Sequence, residues 1–431
     1  MHGRSNLVSI LIKNGYVLDP ATNTEGVMDL LIDEGVITQV SADINTKADE
    51  IIDGTGLYVM PGFIDLHVHL REPGFEYKET IRTGSQSAAR GGFTTICPMP
   101  NTNPSIDSKY MVEYLLLKAK EEAVVNIVPI GAVTKGQLGL ELADIKGMGE
   151  KGAAGISEDG KSVMNTRVYK QGMVEAKNNN MVVFAHCEDK DLVQDGVLNE
   201  GSKAQELGMP GISNSVEDVI VARDILLAKD TGVKLHLCHC STKDSVTMVN
   251  MAKSQGLPVT AEVCPHHFTL SDEDIIGDDS NYKMNPPLRS KEDIIALKEG
   301  LKNNTMDVIA TDHAPHSEEE KNNSIRNAPF GIVGLETAFA LTMTELVHSG
   351  YLTPMQMVEK LSKNPANILD INKGTLQPGY IADIVIADPN EEYLIDVKEF
   401  VSKGKNTPFA GKKVKGRIKY TLVDGKVVFK D

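Results

Sequence analysis

The stretch Pro61-Gly62-Phe63-Ile64-Asp65-Leu66-His67-Val68-His69-Leu70-Arg71 is a short apolar run that ends in two histidines. An apolar run that follows Pro-Gly is typical of a buried β-strand. Side chains two positions apart in a strand point to the same side, so His67 and His69 are predicted to converge on one metal ion. Arg71 would lie on that side if the strand continued. Taken alone, the pattern is more often a pair of half-buried histidines, and the prediction depends on the rest of the chain.

Seven further apolar strands are predicted to follow, so that the candidate strands are 62–69, 93–98, 125–131, 153–157, 181–187, 233–239, 257–263 and 306–311. Helical patterns lie between most of them, as at 108–122, 216–230 and 290–303. Eight βα units over about 250 residues predict an α/β fold of the closed TIM-like (β/α)8 barrel type. An open doubly wound sheet is the alternative. Polar residues after six of the strands favour the barrel, whose chemistry lies at the carboxyl ends of its strands.

Both ends of the chain are rich in short β runs and are predicted to form one small β-sandwich beside the barrel. The expected division is 1–58 for the first part of the sandwich, 59–366 for the barrel and 367–431 for the second part. A strand at 7–12 comes before Asn14-Gly15, and another comes before Asp424-Gly425. Both dipeptides predict a hairpin turn.

The composition is that of a soluble globular protein, with 41% hydrophobic residues and a net charge of −16. That charge argues against a nucleic-acid partner. The strongest apolar run near the start, 7–12, is too short for a signal segment or a membrane span. Five scattered cysteines do not form a disulfide framework, which favours a reducing cytoplasm; Cys238 and Cys240 are interpreted as small buried residues.

Candidate metal ligands follow several of the predicted strands. They are His67 and His69 after strand one, an acidic pair of Glu158 and Asp159 after strand four, His186 after strand five, His239 after strand six and Asp312 after strand eight. Any one of them could be an ordinary buried polar residue, but such a set at one barrel mouth predicts two divalent cations, with zinc preferred. Asp312 is also the candidate for proton transfer from a metal-activated water to a leaving nitrogen. The predicted reaction is hydrolysis of an amide-like bond, or its reverse.

These residues resemble the amidohydrolase superfamily and, within it, bacterial dihydroorotases whose metals are bridged by aspartate. The similarity extends from the 61–71 stretch to Gly-Thr-Leu-Gln-Pro-Gly-Tyr-Ile-Ala-Asp at 374–383. It implies two Zn2+ ions per chain, with Asp159 rather than Glu158 as the bridge. It also implies reversible cyclisation of N-carbamoyl-L-aspartate to L-dihydroorotate in de novo pyrimidine (UMP) biosynthesis. A homodimer and an association with aspartate transcarbamoylase both remain open.

The resemblance also implies a set of substrate-binding residues: Arg71, Asn101, Asn285, His316, Phe330 and Gly331. A guanidinium can bind a carboxylate through two parallel hydrogen bonds, and an asparagine amide can both donate to and accept from a cyclic ureide. Turn formation next to proline is the alternative role for the two asparagines. Cys264 stands where the family more often has threonine, which leaves the shape of the site open.

Two other functions are compatible with the resemblance. Hydantoinases, dihydropyrimidinases and allantoinases share the histidines and Asp312 but usually bridge their metals with a carboxylated lysine on strand four. Residues 152–157 contain no lysine, although Lys151 precedes them and Lys161 follows Asp159. A non-catalytic scaffold is the second alternative, and the complete ligand set argues against it.

Overall fold

The computed structural model describes residues 8–431, which form nineteen strands and fourteen α-helices. The strands are β1 (Ile10–Asp19), β2 (Thr24–Asp33), β3 (Val36–Ser41), β4 (Glu50–Asp53), β5 (Tyr58–Pro61), β6 (Phe63–Val68), β7 (Phe93–Pro98), β8 (Asn126–Ile127), β9 (Ile130–Ala132), β10 (Gly155–Ser157), β11 (Val182–Ala185), β12 (Leu198–Asn199), β13 (Gly211–Ile212), β14 (Leu235–Leu237), β15 (Val259–Val263), β16 (Val308–Ile309), β17 (Ile384–Leu394), β18 (Lys413–Val423) and β19 (Lys426–Lys430).

The helices are α1 (Ile81–Arg90), α2 (Lys109–Glu122), α3 (Ile145–Glu150), α4 (Thr166–Asn178), α5 (Lys190–Val193), α6 (Ser202–Glu206), α7 (Ser215–Thr231), α8 (Lys243–Ser254), α9 (Pro265–Thr269), α10 (Lys291–Lys302), α11 (Glu318–Lys321), α12 (Ala338–Thr342), α13 (Pro354–Val358) and α14 (Asn364–Leu369). Short 3-10 turns occur at Lys135–Gln137, Asp272–Asp274, Ser280–Tyr282 and Val397–Glu399, and π-helical turns at Met343–Val347 and Glu359–Lys363. Within residues 8–431, every helix is too short or too polar to cross a membrane.

One eight-stranded sheet contains strands from both ends of the chain. Its order is β19-β18-β17-β5-β1-β2-β3, with β4 paired to β1. The two ends meet where β17 runs antiparallel to β5, with Ile384 opposite Pro61. This confirms the predicted sheet domain formed by both termini. The division at residues 58 and 366 stays a prediction, and residue 7 of the predicted first strand lies outside the described residues.

The two predicted hairpin turns have different outcomes. Asp424-Gly425 does connect β18 to β19, and both residues have positive φ, of 50° and 73°. The turn predicted at Asn14-Gly15 is wrong, because β1 continues through it. Asn14 has a φ of 58° and forms an irregularity in the pairing of β1 with β2, and the chain reverses only after Asp19. Asn14 adopts the left-handed conformation that a turn would need, but here it forms a bulge in β1 instead of a turn.

All eight predicted barrel strands are present, in the predicted order. The third is divided between β8, which pairs with β7, and β9, which pairs with β10. Parallel pairing then continues from β10 through β11, β14 and β15 to β16. The barrel closes where the backbone N–H of His69 donates to the carbonyl of His313 at 2.8 Å. The closed barrel is therefore confirmed against the open sheet.

The barrel strands are buried on both faces. In β11, Val182 and Phe184 belong to one apolar cluster with Ile64 and Leu66, whereas the alternate residues, Val183 and Ala185, belong to a larger cluster that includes helix residues. This alternation is that of a strand between a filled barrel interior and a layer of helices. Because the interior is filled with apolar side chains, polar side chains collect at the carboxyl ends of the strands.

Candidate active site

The six residues predicted as metal ligands lie together at the carboxyl end of the barrel. Each is buried, and they are His67, His69, Asp159, His186, His239 and Asp312. Five different barrel strands, β6, β10, β11, β14 and β16, carry them or come directly before them. This position accounts for their convergence, because parallel strands of a barrel all end on the same side.

The carboxylate of Asp159 lies at the middle of the four imidazoles. Its Oδ1 is 3.2 Å from Nε2 of His67, 3.3 Å from Nδ1 of His186 and 3.8 Å from Nε2 of His239. Its Oδ2 is 3.5 Å from Nε2 of His69. Three of the imidazoles therefore lie near Oδ1 and one lies near Oδ2, a central position that is compatible with the predicted bridging role of Asp159.

Glu158, the neighbour that sequence alone did not distinguish from Asp159, faces away from the histidines. Its carboxylate accepts hydrogen bonds from the backbone N–H groups of Val133 and Thr134, both at 3.1 Å, and from the Thr134 hydroxyl. These bonds attach the start of the loop after β10 to the end of β9. Glu158 therefore holds the loop while Asp159 points into the site.

Asp312 contacts the histidine pair from the opposite side. Its Oδ1 is 3.0 Å from Nε2 of His69 and 3.5 Å from Nε2 of His67. Burial opposes ionisation here, but the adjacent imidazoles of His67 and His69 lower the pKa of Asp312 well below its usual range. The side chain is therefore a carboxylate at neutral pH, which is the form that can bind a cation or accept a proton.

The ring of His67 is fixed by Glu262, a residue of β15. Nδ1 of His67 donates to Oε1 of Glu262 at 2.9 Å, and Nε2 of His236 lies 2.9 Å from Oε2. Burial disfavours the charge, yet the hydrogen bonds from His236 and His67 lower the pKa of Glu262 to about 2. Glu262 had not been predicted from the sequence. The signal was available, since a glutamate within the apolar run 257–263 needs a buried partner.

Two more imidazoles have an acceptor on the ring nitrogen that faces away from the centre. Nδ1 of His69 is 2.9 Å from Oδ1 of Asn101, and Nε2 of His186 is 3.1 Å from Oε2 of Glu188. An acceptor on one ring nitrogen places the proton there and leaves the lone pair of the other nitrogen free. Histidines that bind metals in proteins show this arrangement.

The donor set fits divalent cations. Within residues 8–431, Nε2 of His67 and Oδ1 of Asp159 are buried and lie 3.2 Å apart, but neither atom forms a hydrogen bond of good geometry. Buried polar atoms without a partner are costly, and both point into the cluster where a cation would lie. Three groups of converging ligand atoms share His67: one with Asp159 and His239, one with His69 and Asp312, and one with Cys238 and Glu262.

Three site residues have backbone conformations in the left-handed region. The φ angles are 61° for Arg71, 35° for His239 and 48° for Asp312. Such conformations are strained for residues other than glycine and collect at functional sites. The strand does not continue as far as Arg71, which was the condition for placing Arg71 on the side of the histidines. Because β6 ends at Val68, Arg71 reaches the site from the loop that follows.

A cavity of ≈ 230 Å³ opens beside the ligand cluster, and most of the predicted substrate residues line it: Arg71, Asn101, Asn285, Phe330 and Gly331. Glu188 and Lys190 also line it and had not been predicted. His316 lies outside the lining, where its Nε2 is 2.8 Å from the carbonyl oxygen of Phe330 and 3.3 Å from the guanidinium of Arg71. Lys78 donates to Nδ1 of His316 at 3.2 Å, so this ring carries its proton on Nε2.

The loop that carries Phe330 is held by a buried lysine. Nζ of Lys321 donates to the carbonyl oxygens of Pro329 and Gly331, both at 3.1 Å, and so fixes the backbone on either side of Phe330. Burial lowers the pKa of Lys321 to about 7. Residues 317–321 form a charged run of the kind that usually faces solvent, yet the stem and ammonium group of Lys321 are inside the loop.

Among residues 8–431, His266, His267 and His313 lie outside the ligand cluster, whereas Cys238 lies beside it, with its Sγ within 4.8 Å of ligand atoms of His67 and Glu262. His313 is 3.3 Å from Glu79 and accepts a hydrogen bond from the backbone N–H of Gly334. His266 and His267 lie with Cys264 in a separate buried group. All five cysteines are free and buried.

Comparisons with known structures define the class of protein. The fold matches an L-hydantoinase (dihydropyrimidinase) from Arthrobacter aurescens with a TM-score of 0.87 and 27% identity, over 98% of this chain and 96% of that one. A D-hydantoinase from a Thermus species matches with a TM-score of 0.85 and 28% identity, over 98% and 95%. The chain is an amidohydrolase with a TIM barrel, a class of metal-dependent enzymes.

Sequence comparisons identify the family within that class. The chain is 49% identical to a dihydroorotase from Acetivibrio thermocellus, over 98% of this chain and 99% of that one. It is 50% identical to a dihydroorotase from Pelotomaculum thermopropionicum, also over 98% and 99%. A family model described as dihydro-orotase-like matches residues 56–245. The chain belongs to the dihydroorotase family.

Proposed function

We propose that this enzyme interconverts L-dihydroorotate and N-carbamoyl-L-aspartate, a step of de novo pyrimidine (UMP) biosynthesis. The observation that carries the proposal is the position of Arg71, which lines the same cavity as five of the six candidate ligands, all except His67. Both compounds carry a carboxylate that takes no part in the reaction, on a carbon one CH2 group away from the carbonyl carbon that reacts. A guanidinium beside a metal centre can bind that carboxylate while the cyclic amide lies at the metals.

The proposed metal content is two Zn2+ ions per chain. His67, His69 and Asp312 would hold one, His186 and His239 the other, and Asp159 would contact both. The support is that His67 Nε2 and Asp159 Oδ1 are buried at the point where the ligands converge and form no hydrogen bond of good geometry. Zinc in such a site supplies Lewis acidity, which activates water and polarises a carbonyl group.

The side chains of the cavity have separate roles in the proposed reaction. Arg71, with Asn101 and His316 nearby, binds the substrate carboxylate, and Asn285 binds the amide of the ring. Phe330 and Gly331 contribute backbone groups. Asp312 accepts the proton of the attacking water and delivers it to the ring nitrogen as the ring opens. In the direction of ring closure, Asp312 takes the proton from the carbamoyl nitrogen.

A single assay tests this proposal against the hydantoinase alternative. The purified protein, supplied with zinc, is assayed for both directions with dihydroorotate and N-carbamoyl-L-aspartate, and for ring opening of hydantoin, dihydrouracil and allantoin. We expect a kcat/KM for dihydroorotate at least about 100-fold above that for the uncharged rings, since those lack the partner of Arg71. Faster opening of hydantoin or allantoin would overturn the assignment. Zinc content well below two ions per chain would overturn the metal proposal.

The same preparation tests the proposals on partners and location. Turnover by the chain alone would show that aspartate transcarbamoylase is not required, and co-elution of the two enzymes would show association. Homodimer formation is tested by light scattering. A cytoplasmic location is supported by the five free cysteines and is tested by cell fractionation.

A further inference from the structure

Glu188 lies in the cavity wall between the candidate metal centre and Asn285. Its side chain is 7% exposed, and its two oxygens have different partners. Oε1 accepts a hydrogen bond from Nδ2 of Asn285 at 3.0 Å. Oε2 accepts from Nε2 of His186 at 3.1 Å and from the ammonium group of Lys190.

These contacts fix which way the amide of Asn285 faces. An ionised carboxylate only accepts hydrogen bonds, so the Asn285 group beside it must be the NH2 group. The carbonyl oxygen Oδ1 is then left for the cavity, and no described residue donates a hydrogen bond to it. An asparagine with a neighbour that can both donate and accept would have no such preference.

The orientation matters because of what the substrate presents. The ring amide of dihydroorotate and the carbamoyl group of the open form each carry N–H donors. An acceptor on Asn285 pairs with such a donor, whereas an NH2 group in the same place would oppose it. Opposed donors in a site that excludes water lose far more binding than a missing contact.

We propose that Glu188 is a positioning residue that selects the orientation of the Asn285 amide, so that Oδ1 accepts from a substrate N–H group. The same carboxylate keeps the proton of His186 on Nε2 and leaves Nδ1 directed toward Asp159. This inference rests on the proposed function, since it takes a cyclic amide as the occupant of the cavity.

Glu188→Gln is the informative substitution, because it changes no volume. His186 and Lys190 both donate at the Oε2 position, so the amide oxygen of the variant takes that place. Its NH2 group then faces Asn285, whose amide must turn and present Nδ2 to the substrate. We expect KM for dihydroorotate to rise about 10- to 100-fold. With zinc supplied in excess, so that a moderate loss of zinc affinity does not empty the site, zinc content and kcat should change much less.

A double variant separates orientation from general damage. In E188Q/N285D, the aspartate accepts from the new NH2 group with one oxygen and from the substrate with the other. We expect KM to return to within about threefold of the wild-type value, since both donors are again paired. N285D alone should be worse than E188Q, because it puts two carboxylates side by side. Asp191→Asn, an exposed change three residues away, is the matched control and should leave KM unchanged.

Each outcome decides the inference. Recovery in the double variant, with about two zinc ions retained throughout, supports it. A wild-type KM in E188Q overturns it, and so does a loss of zinc and kcat that N285D does not repair, since Glu188 would then act only on the metal centre. If the wild-type protein does not turn over dihydroorotate, the proposed function fails and this inference fails with it.

Discussion

Glu262→Gln should weaken zinc binding while leaving the fold intact. Oε1 of Glu262 accepts from Nδ1 of His67 and from the backbone N–H of His239 at 3.0 Å, so the amide oxygen of the variant should occupy that position. Its NH2 group then faces Nε2 of His236. That ring can change tautomer, because its Nδ1 is 2.8 Å from the hydroxyl of Thr260, which can accept as well as donate. Every hydrogen bond is then retained, and only the charge is lost.

The expected decrease in zinc affinity follows from the loss of the negative charge of Glu262. A hydrogen bond to a charged group contributes about 1.5–3 kcal/mol and a neutral one about 0.5–1.5 kcal/mol. The bond that orients His67 should therefore weaken by roughly 1–1.5 kcal/mol, which corresponds to about a tenfold loss of zinc affinity. Glu262→Ala is less useful. It would leave three buried donors unpaired at about 1–3 kcal/mol each, which approaches the stability of a whole domain.

Zinc affinity is measured by competition with a chromophoric chelator, together with thermal unfolding of the zinc-free protein. Glu336→Gln is the matched control, because Glu336 is also buried and accepts from the Ser87 hydroxyl at 2.9 Å and the backbone N–H of Ser402 at 3.0 Å, away from the cavity. Equal zinc affinity in E262Q and E336Q would refute the role of Glu262. A loss of affinity matched by an equal loss of zinc-free stability would do the same.

Four further outcomes are expected. Asp312→Asn should lower kcat by about 10²–10⁴-fold and keep most of the zinc, as measured by steady-state kinetics and metal analysis, because proton transfer is lost. Arg71→Met should raise KM for dihydroorotate about 10- to 100-fold without loss of zinc; equal loss of both would make Arg71 structural. Lys321→Met should raise KM and leave zinc content unchanged, because it frees the carbonyls beside Phe330; an unchanged KM would contradict this. Removal of zinc by a chelator should abolish turnover and lower the melting temperature, with both restored by added zinc, and activity that survives complete removal would refute the metal proposal.

The barrel could be predicted from sequence because its signals are local. Each strand is a short apolar run buried on both faces, and the helices between them begin at capping residues such as Ser290, which accepts from the backbone of Asp293. The hairpin turn predicted at Asn14-Gly15 was wrong because the sequence signal there is only local. The dipeptide correctly indicates a left-handed residue, but whether that residue makes a turn or a bulge depends on β2, which pairs with β1 across it.

The candidate ligands could be predicted for a related reason, since barrel topology alone brings the ends of strands together. The residues that orient them could not. Glu262 is remote in sequence from His67, and Glu188, although only two residues from His186, shows no sign in the sequence that it faces that ring. Lys321 lies in a run of charges that resembles a solvated surface. Their positions depend on which strands are neighbours and on how loops pack, and these are properties of the folded chain.

The loop after β10 shows why an aspartate can take the place of a long bridging side chain. Residues 152–157 have no lysine that could extend from the strand into the centre. Asp159 instead lies two residues beyond the last residue of β10, and from that loop position its short side chain lies 3.2 Å from Nε2 of His67. Glu158 fixes the backbone at that position, since its carboxylate accepts hydrogen bonds from two backbone N–H groups at the end of β9. The two adjacent carboxylates therefore point in different directions, Glu158 toward the backbone at the end of β9 and Asp159 toward the histidines. In the sequence the two residues are only an acidic pair, and nothing there distinguishes their contacts. The direction of each side chain in the folded protein distinguishes them.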